Sequence, residues 1–396
     1  MTKQSKEANS CLSCGLFEYW HVKSPKMDAY GAGKKGIMVI GEAPGAVEDR
    51  KGLPWQGKTG RLLQNTMSKL GVDLFEDCVC INAVNCRPPE NRTPSPFEIK
   101  CCWNVKVQRA IEEFKPKVLI LLGAVAVQSF LSPRWPTDLG GITKWRGWVI
   151  PDRDYKFWVV PTFHPSYVYR IDSQEANTVW EQDLAAAIAK ADQPLPRFWE
   201  PKIHFIDDLT VLEQFHDAPE IAFDYETTGL KPHADGHEII CASVAGGEDR
   251  VYVFMMPETK KELRPFLDLL TDNTVGKMAH NIKFEDNWTR YRLNTEIKNW
   301  QWDSMLAAHL MDNRQYVSGL KFQAYVQFGV ADYASDVSKY LRSGSKSGNA
   351  FNHIRALLEE PEGKEKLMKY CALDSHYEYM LAKWQMKELD YQYLPF

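Results

Sequence analysis

Three prolines fall within residues 194–201, directly after an alanine-rich run with the apolar spacing of a helix. Proline fixes φ and has no backbone N–H, so neither a helix nor a central strand continues through such a stretch. Proline-rich spacers act as semi-rigid linkers between domains. A chain of 396 residues suffices for two or three domains. The sequence therefore predicts two domains, 1–195 and 203–396, joined by a linker at 196–202.

The first predicted domain alternates strand and helix. Apolar runs such as GIMVI, CVCINAV, KVLILLG and FWVVPT have strand character, and GRLLQNTMSKL and PFEIKCCWNVKVQRAIEEF have the apolar spacing of helices. This alternation is typical of an α/β sandwich with a mainly parallel sheet. Ligands bind outside the carboxyl ends of strands in such sheets. Polar loops follow three of the predicted strands, at 41–57, 82–89 and 162–167, and we expect a binding site there.

The sequences of these three loops resemble those of a known protein family. GEAPG, INAVNCRPPENRTP and FHPSY, in this order and each at a strand end, closely resemble the family 4 uracil-DNA glycosylases over roughly residues 8–190. The resemblance implies excision of uracil from DNA after the base has been flipped out of the duplex. Asn82 is then expected to pair with uracil N3–H and O4, since an amide both donates and accepts. His164 would donate to O2 as negative charge develops. Glu42 would position water or stabilise the sugar cation, and Trp55, where the family usually has Phe, would stack on uracil.

The same resemblance implies roles for further residues of these loops. It implies further contacts with uracil and contacts with the DNA backbone, where basic and polar side chains position a protein without reading sequence. The residues in question are Gly41 and Ala43 for uracil, and Arg87, Asn91, Arg92 and Ser166 for DNA.

Nine cysteines in a chain of this kind are thiols or metal ligands rather than disulfides. The resemblance implies a [4Fe-4S] cluster, which requires four thiolates. Cys101 remains an alternative to Cys102 as the fourth ligand. A zinc ion bound by the same four cysteines is the alternative to the cluster. The expected cluster ligands are Cys11, Cys14, Cys86 and Cys102.

The second predicted domain begins with an apolar strand, EIAFDYETTGL, that ends in Asp224 and Glu226. Strand alternation puts both carboxylates on one face, where like charges repel unless a divalent metal binds them. GHEIICASVAGGEDRVYVFMM supplies two further strands, as in a ribonuclease-H-like (DnaQ-like) mixed sheet. Tyr370 and Asp374 are four residues apart and share a helix face.

These residues resemble the 3′–5′ proofreading exonuclease domain of family A DNA polymerases, over about 203–390. The resemblance implies two Mg²⁺ or Mn²⁺ ions on Asp224, Glu226 and Asp374, with Tyr370 orienting the attacking water. The acidic residue of the middle motif falls on Glu285, as a further ligand, where the family has Asp. Its neighbour Asp286 remains the alternative.

The order glycosylase, exonuclease, polymerase resembles polymerases of some bacteriophages. We therefore expect uracil-containing DNA and single-stranded 3′ ends as substrates, and a DNA polymerase module or subunit as partner. The first half is net basic, which suits a phosphate partner. No apolar run is long enough to span a membrane and the N-terminus has no apolar signal region, so a cytoplasmic protein of an infected bacterial host is expected. In the alternative interpretation the first half only binds uracil or DNA, and the exonuclease alone is catalytic.

Overall fold

The computed structural model describes residues 8–19, 27–135, 138–198, 200–247, 249–343, 345 and 349–389. The chain forms two compact units. The first comprises Met1–Arg197 with Val326–Ala331, and the second comprises Phe198–Tyr325 with Asp332–Phe396. Each has its own sheet, and the two are described separately.

The first unit is built on a five-stranded sheet of order β2-β1-β3-β5-β4. All strand pairs are parallel except β4 with β5, which agrees with the predicted fold class. Every residue of these strands is buried, as expected for a parallel sheet covered on both faces. The strands are β1 Ile37–Gly41, β2 Cys78–Asn82, β3 Val118–Leu122, β4 Ile150–Asp152 and β5 Phe157–Thr162.

Helices follow most of these strands. The single long helix predicted for 96–114 is divided by a π-helical turn at Trp103–Val107. It begins with a capping box between Ser95 and Glu98, which satisfies free N–H groups at the helix start. The helices of this unit are α1 Cys11–Cys14, α2 Ala46–Lys51, α3 Lys58–Lys69, α4 Pro96–Cys102, α5 Gln108–Phe114, α6 Ala124–Leu131, α7 Ile142–Trp145, α8 Pro165–Ile171 and α9 Gln174–Ala189.

The second unit contains a six-stranded mixed sheet of order β11-β10-β7-β8-β9-β6. The pairs of β8 with β7 and with β9 are antiparallel, and the remaining pairs are parallel. The strand with the two acidic residues, β7, therefore lies inside the sheet. The strands are β6 Lys202–Phe205, β7 Glu220–Thr227, β8 Ile239–Ala245, β9 Arg250–Met255, β10 Gly276–Ala279 and β11 Trp300–Asp303.

One long helix, α16 (Gly363–Glu388), packs on β7 and β8 and buries Tyr370 and Asp374 against the sheet. No helix among the described residues is both long and apolar enough to cross a membrane. The other helices after β9 are α10 Lys260–Thr271, α11 Ile282–Trp288, α12 Ser304–Met311, α13 Leu320–Phe328, α14 Ser335–Ser338 and α15 Ile354–Leu358.

Candidate functional sites

The ends of β1 and β2 bring Asn82 and Trp55 against one glycine. Gly41 is paired with Asn82 in the sheet. A Cβ added at Gly41 would lie 2.6 Å from Asn82 Oδ1 and 2.7 Å from Trp55 Cζ2. The position therefore has room only for glycine, and the amide and the indole lie side by side at the sheet edge. Ala43, two residues further along the loop, is half-buried.

The backbone of Trp55 adopts the left-handed region, with φ 57°, which is rare for an aromatic residue. Gly60 packs against this backbone, since a Cβ there would lie 2.1 Å from the Trp55 carbonyl oxygen. The indole ring is 5.7 Å from the His164 ring between centroids, at an angle of 36°. The structure thus brings together Asn82, Trp55 and His164, which the sequence places in three separate loops.

His164 caps the start of α8. The backbone N–H of Ser166 donates to His164 Nδ1 at 3.1 Å, and the Ser166 hydroxyl oxygen lies 2.7 Å from the same nitrogen. An accepting Nδ1 leaves the ring proton on Nε2. Burial, with a smaller effect of Arg170, lowers the pKa of His164 to about 4. At neutral pH the imidazole is therefore neutral, with Nε2–H free to donate.

Glu42 is half-buried at the end of β1. Burial raises the pKa of its carboxyl group, and Arg170 opposes that shift. Arg170 lies near the end of α8 and acts electrostatically on both Glu42 and His164. Sequence reasoning missed this residue, because its position relative to Glu42 depends on how α8 packs.

The residues expected to contact DNA have partners within the first unit. Arg87 Nε donates to Asn91 Oδ1 at 2.8 Å, and Nη1 lies 3.7 Å from a carboxylate oxygen of Asp49. Arg92 binds Glu98 through two contacts of 2.9 and 2.6 Å. Their contact with phosphate remains a prediction, in which Arg92 would have to share its guanidinium group with Glu98.

Five cysteines of the first unit line one cavity, where α1 packs against α4. Cys102 Sγ accepts hydrogen bonds from the backbone N–H of Asn85 at 3.3 Å and from its side-chain amide at 3.4 Å. N–H donors to sulfur are a common outer layer of iron–sulfur ligands. Burial raises the pKa of both adjacent thiols, to about 11 for Cys101, and the Asn85 hydrogen bonds oppose this shift at Cys102. The other three cysteines of the cavity are Cys11, Cys14 and Cys86.

The spacing of these thiols can be compared with the spacing that a zinc site requires. Sulfur ligands of one tetrahedral zinc lie about 3.8 Å apart, given a Zn–S bond of about 2.3 Å. Within the described part of the chain, only Asp224, Glu226 and Cys371 bring three metal-ligating atoms within 4.8 Å of one another. Among the described residues the cavity cysteines do not form so close a group, and their thiol donors suit either zinc or an iron–sulfur cluster.

The group formed by Asp224, Glu226 and Cys371 joins β7 to α16 in the second unit. Burial raises the pKa of both carboxyl groups, and the neighbouring acids raise them further. Burial also raises the pKa of the Cys371 thiol, which keeps it neutral. Hard carboxylate oxygens without a competing thiolate suit Mg²⁺ or Mn²⁺.

Two residues hold the Asp374 carboxylate. The Tyr333 hydroxyl donates to Oδ1 at 2.6 Å, and the Lys321 ammonium binds Oδ2. The same ammonium lies 4.5 Å from the centroid of the Tyr370 ring. Sequence reasoning missed Lys321 and Tyr333, since neither SGLKF nor ADYAS carries a motif.

Glu285 and Asp286, the two acidic residues of the middle motif, have different surroundings. Glu285 is buried, and burial followed by the charge of Asp224 raises the pKa of its carboxyl group. Its Oε2 has no hydrogen-bond partner among the described residues, which fits a cation ligand. Asp286 instead accepts hydrogen bonds from Arg290 at 2.7 Å and Trp300 at 3.4 Å. Of the two carboxylates, Glu285 faces the acidic group.

A cavity of about 550 Å³ is lined by residues of α11, by Asn281 before it and by the loop after β7. The exposed side chains of Leu230 and Tyr291 lie along it. Lys231, Lys283 and Arg290 add positive charge to its lining. Apolar and aromatic surfaces flanked by cations are typical of single-strand binding.

Comparison with known proteins supports both domain classes. Residues 28–187 match the uracil DNA glycosylase superfamily, and residues 205–390 match a 3′-5′ exonuclease family. Two domain classes thus lie in one chain. Through its first half the chain belongs to the type-4 uracil-DNA glycosylase family: it is 38% identical to the Thermotoga maritima member over 185 residues, 46% of this chain and 90% of that protein. Both resemblances predicted from the sequence are confirmed.

Two further proteins are similar to this chain. A DNA polymerase of Bacillus phage SP01 is 24% identical over 366 residues. The match covers 82% of this chain and 38% of that polymerase. The solved structure of Brucella melitensis NrnC with bound Mg²⁺ is 18% identical, with a TM-score of 0.35, and covers 48% of this chain and 81% of NrnC.

Proposed function

We propose that the first unit excises uracil from DNA and that the second degrades DNA from 3′ ends. The observation that carries the first activity is the meeting of Asn82, Trp55 and His164 at one sheet edge. A flipped uracil stacks on Trp55, and the Asn82 amide pairs with its N3–H and O4. The Nε2–H of neutral His164 donates to O2, where negative charge develops as the glycosidic bond breaks.

Glu42 acts on the sugar side of this reaction. Its carboxylate stabilises the sugar cation and orients the water that replaces uracil. The raised pKa that burial gives Glu42 makes it a better proton acceptor for that water. Arg170 opposes this shift and so favours the ionised carboxylate.

Four cysteines hold a [4Fe-4S] cluster in this proposal, namely Cys11, Cys14, Cys86 and Cys102. The cluster, when bound, ties α1 to α4 and to the loop after β2, and takes no part in bond cleavage. The two N–H donors of Asn85 on Cys102 favour it over Cys101 as the fourth ligand.

The second activity belongs to Asp224, Glu226, Glu285 and Asp374, which hold two Mg²⁺ or Mn²⁺ ions. Such ions stabilise the attacking and leaving oxygens of an in-line phosphodiester displacement. Tyr370 orients the attacking water from the face that α16 shares with Asp374. The 3′ end of a single strand lies along the cavity past Leu230 and Tyr291. A polymerase module or subunit is the expected partner, which the likeness to the phage polymerase supports.

One experiment separates this proposal from the alternative in which the first unit only binds. The protein is incubated with a uracil-containing oligonucleotide in EDTA, which removes the ions of the exonuclease, and the product is treated with alkali. We expect cleavage at the abasic site, and the same excision without EDTA from the exonuclease-deficient variant Asp224→Ala. Tight uracil-dependent binding without an abasic product would support the binding module instead. The alternative is not favoured, because the matched relatives of this half are glycosylases.

A further inference from the structure

One buried amide joins the residue proposed to read uracil to a ligand proposed for the cluster. Asn85 is 1% exposed and lies between Asn82 and Cys102. Its Nδ2 donates to the Asn82 carbonyl oxygen at 2.8 Å and to Cys102 Sγ at 3.4 Å. Its Oδ1 accepts from the Asn82 backbone N–H at 3.2 Å, and its own backbone N–H donates to Cys102 Sγ at 3.3 Å.

These bonds can only be made by an amide of this length. Both backbone polar groups of Asn82 bind the same side chain, one as donor and one as acceptor. Aspartate has no donor for the carbonyl oxygen or the sulfur. The closed ring fixes the last residue of β2, from which the Asn82 side chain extends against Gly41 and Trp55.

The same Asn85 amide nitrogen, together with the Asn85 backbone N–H, also donates to the sulfur of Cys102. Two N–H donors on one cysteine sulfur stabilise negative charge there, and hydrogen bonds to sulfur are one determinant of a cluster's reduction potential. A change in charge on Cys102 therefore alters the strength of the Asn85 bonds, and the same amide group carries that change to Asn82.

We propose that Asn85 is a positioning residue that couples the charge state of the cluster to the recognition of uracil. The inference rests on the proposed function, in which Asn82 binds the base and Cys102 binds the cluster. Coupling between two sites is reciprocal, so uracil binding must shift the reduction potential by as much as reduction shifts uracil affinity.

The test measures the reduction potential of the full chain with bound DNA, in EDTA to stop degradation. The DNA contains 2′-fluoro-2′-deoxyuridine, whose electron-withdrawing fluorine slows glycosidic cleavage, and the reference is the same oligonucleotide with 2′-fluorothymidine, which has the same sugar and a 5-methyl base. Both are polyanions, so only base recognition differs between them. We expect a potential with the uracil oligonucleotide that differs from that with the thymidine one.

Two substitutions complete the design. Asn85→Asp keeps the acceptor and loses the side-chain donor, so we expect a lower potential, about fivefold weaker binding of the uracil oligonucleotide, and loss of the difference between the two DNAs. Asn177→Asp adds the same charge on α9, where the amide donates to the Ser173 carbonyl oxygen, and should change none of these.

The outcomes are distinguishable. If the wild-type protein holds a cluster and prefers the uracil oligonucleotide, but its potential is the same with both DNAs, the coupling is wrong and the proposed function stands. The comparison of the two potentials uses the wild-type protein, so it can contradict the proposal even if Asn85→Asp folds poorly. A wild-type protein without a cluster, or without preference for uracil, would overturn the proposed function and this inference with it.

Discussion

The backbone N–H of Ser166 donates a hydrogen bond to His164 Nδ1, and this contact decides where the imidazole proton lies. A backbone N–H cannot accept, so Nδ1 must be unprotonated and Nε2 carries the hydrogen. Protonation of Nδ1 would place its N–H against the backbone N–H of Ser166, so two donors would face each other. Burial adds to this effect and lowers the pKa of the ring to about 4.

The first prediction follows from the direction of that shift. The folded pKa lies below the unfolded value of about 6.5, so the unfolded chain binds the proton more readily. Stability from neutral His164 is thus fully present above pH 6.5 and is lost as the pH falls towards 4. Nitrogen-15 NMR of labelled protein should give a Nε2–H tautomer that titrates near pH 4. Ser166→Ala keeps the backbone N–H and should keep the tautomer, whereas a midpoint near 6.5 would contradict the assignment.

The second prediction concerns the rate of excision. His164→Ala removes the donor to uracil O2, and losing one such donor slows related reactions by about 10²–10³-fold. We expect a fall of that size in single-turnover excision from a uracil oligonucleotide. Degradation of a uracil-free single strand by the same preparation controls for the amount of protein and should not change, and an unchanged iron content is the control for folding of the first unit. Undiminished excision would remove His164 from the mechanism.

The third prediction concerns the glycine under the base site. Gly41→Ala would bring a methyl group within 2.6 Å of Asn82 Oδ1 and 2.7 Å of the Trp55 ring. The amide and the indole must then move apart, so we expect strongly reduced excision and weaker binding of uracil-containing DNA. Gly141→Ala is the matched control, because a Cβ there has nothing within 4 Å and φ is −81°. Equal activity of the two variants would show that the contacts at Gly41 do not matter.

The sequence predicted the parts of both sites that depend on strand ends and short spacings. Asn82 was expected at the site because the resemblance falls on a strand end, and Glu226 because it alternates with Asp224 along an apolar strand. Lys321 and Tyr333 could not, since they reach Asp374 across 53 and 41 residues of chain through tertiary packing alone. Asn85 lies in a predicted loop, but only the fold puts its amide between a base-reading residue and a thiol.

The fourth prediction decides between adjacent cysteines. Burial raises the pKa of both thiols, but at Cys102 two hydrogen bonds from Asn85 oppose that shift and stabilise a thiolate. Cys102→Ser should therefore lose iron and visible absorbance in anaerobically purified protein, and Cys101→Ser should retain both. Iron content and the absorption spectrum are the measurements. Retention of the full cluster by Cys102→Ser would assign the ligand to Cys101.

The fifth prediction uses another adjacent pair, Glu285 and Asp286. Glu285 faces Asp224, has an oxygen without a hydrogen-bond partner among the described residues, and belongs to the proposed metal site. Glu285→Gln removes a charge that balances the ions. Disturbing residues that support a metal typically costs about 10–100-fold in affinity or activity. We expect a loss of that size in single-strand degradation, with a higher Mn²⁺ concentration needed for half-maximal rate.

Asp286→Asn is the control for this pair, because its carboxylate binds Arg290 one helical turn away rather than the acidic group. Exposed pairs at this spacing contribute only about 0.3–0.5 kcal/mol, so the exonuclease rate should stay within about twofold. Rates are compared at one salt concentration, since phosphate contacts make DNA affinity salt-dependent. The reverse result, a large loss in Asp286→Asn with Glu285→Gln active, would mean that the middle motif is shifted by one residue and that α11 turns its other carboxylate to the metal.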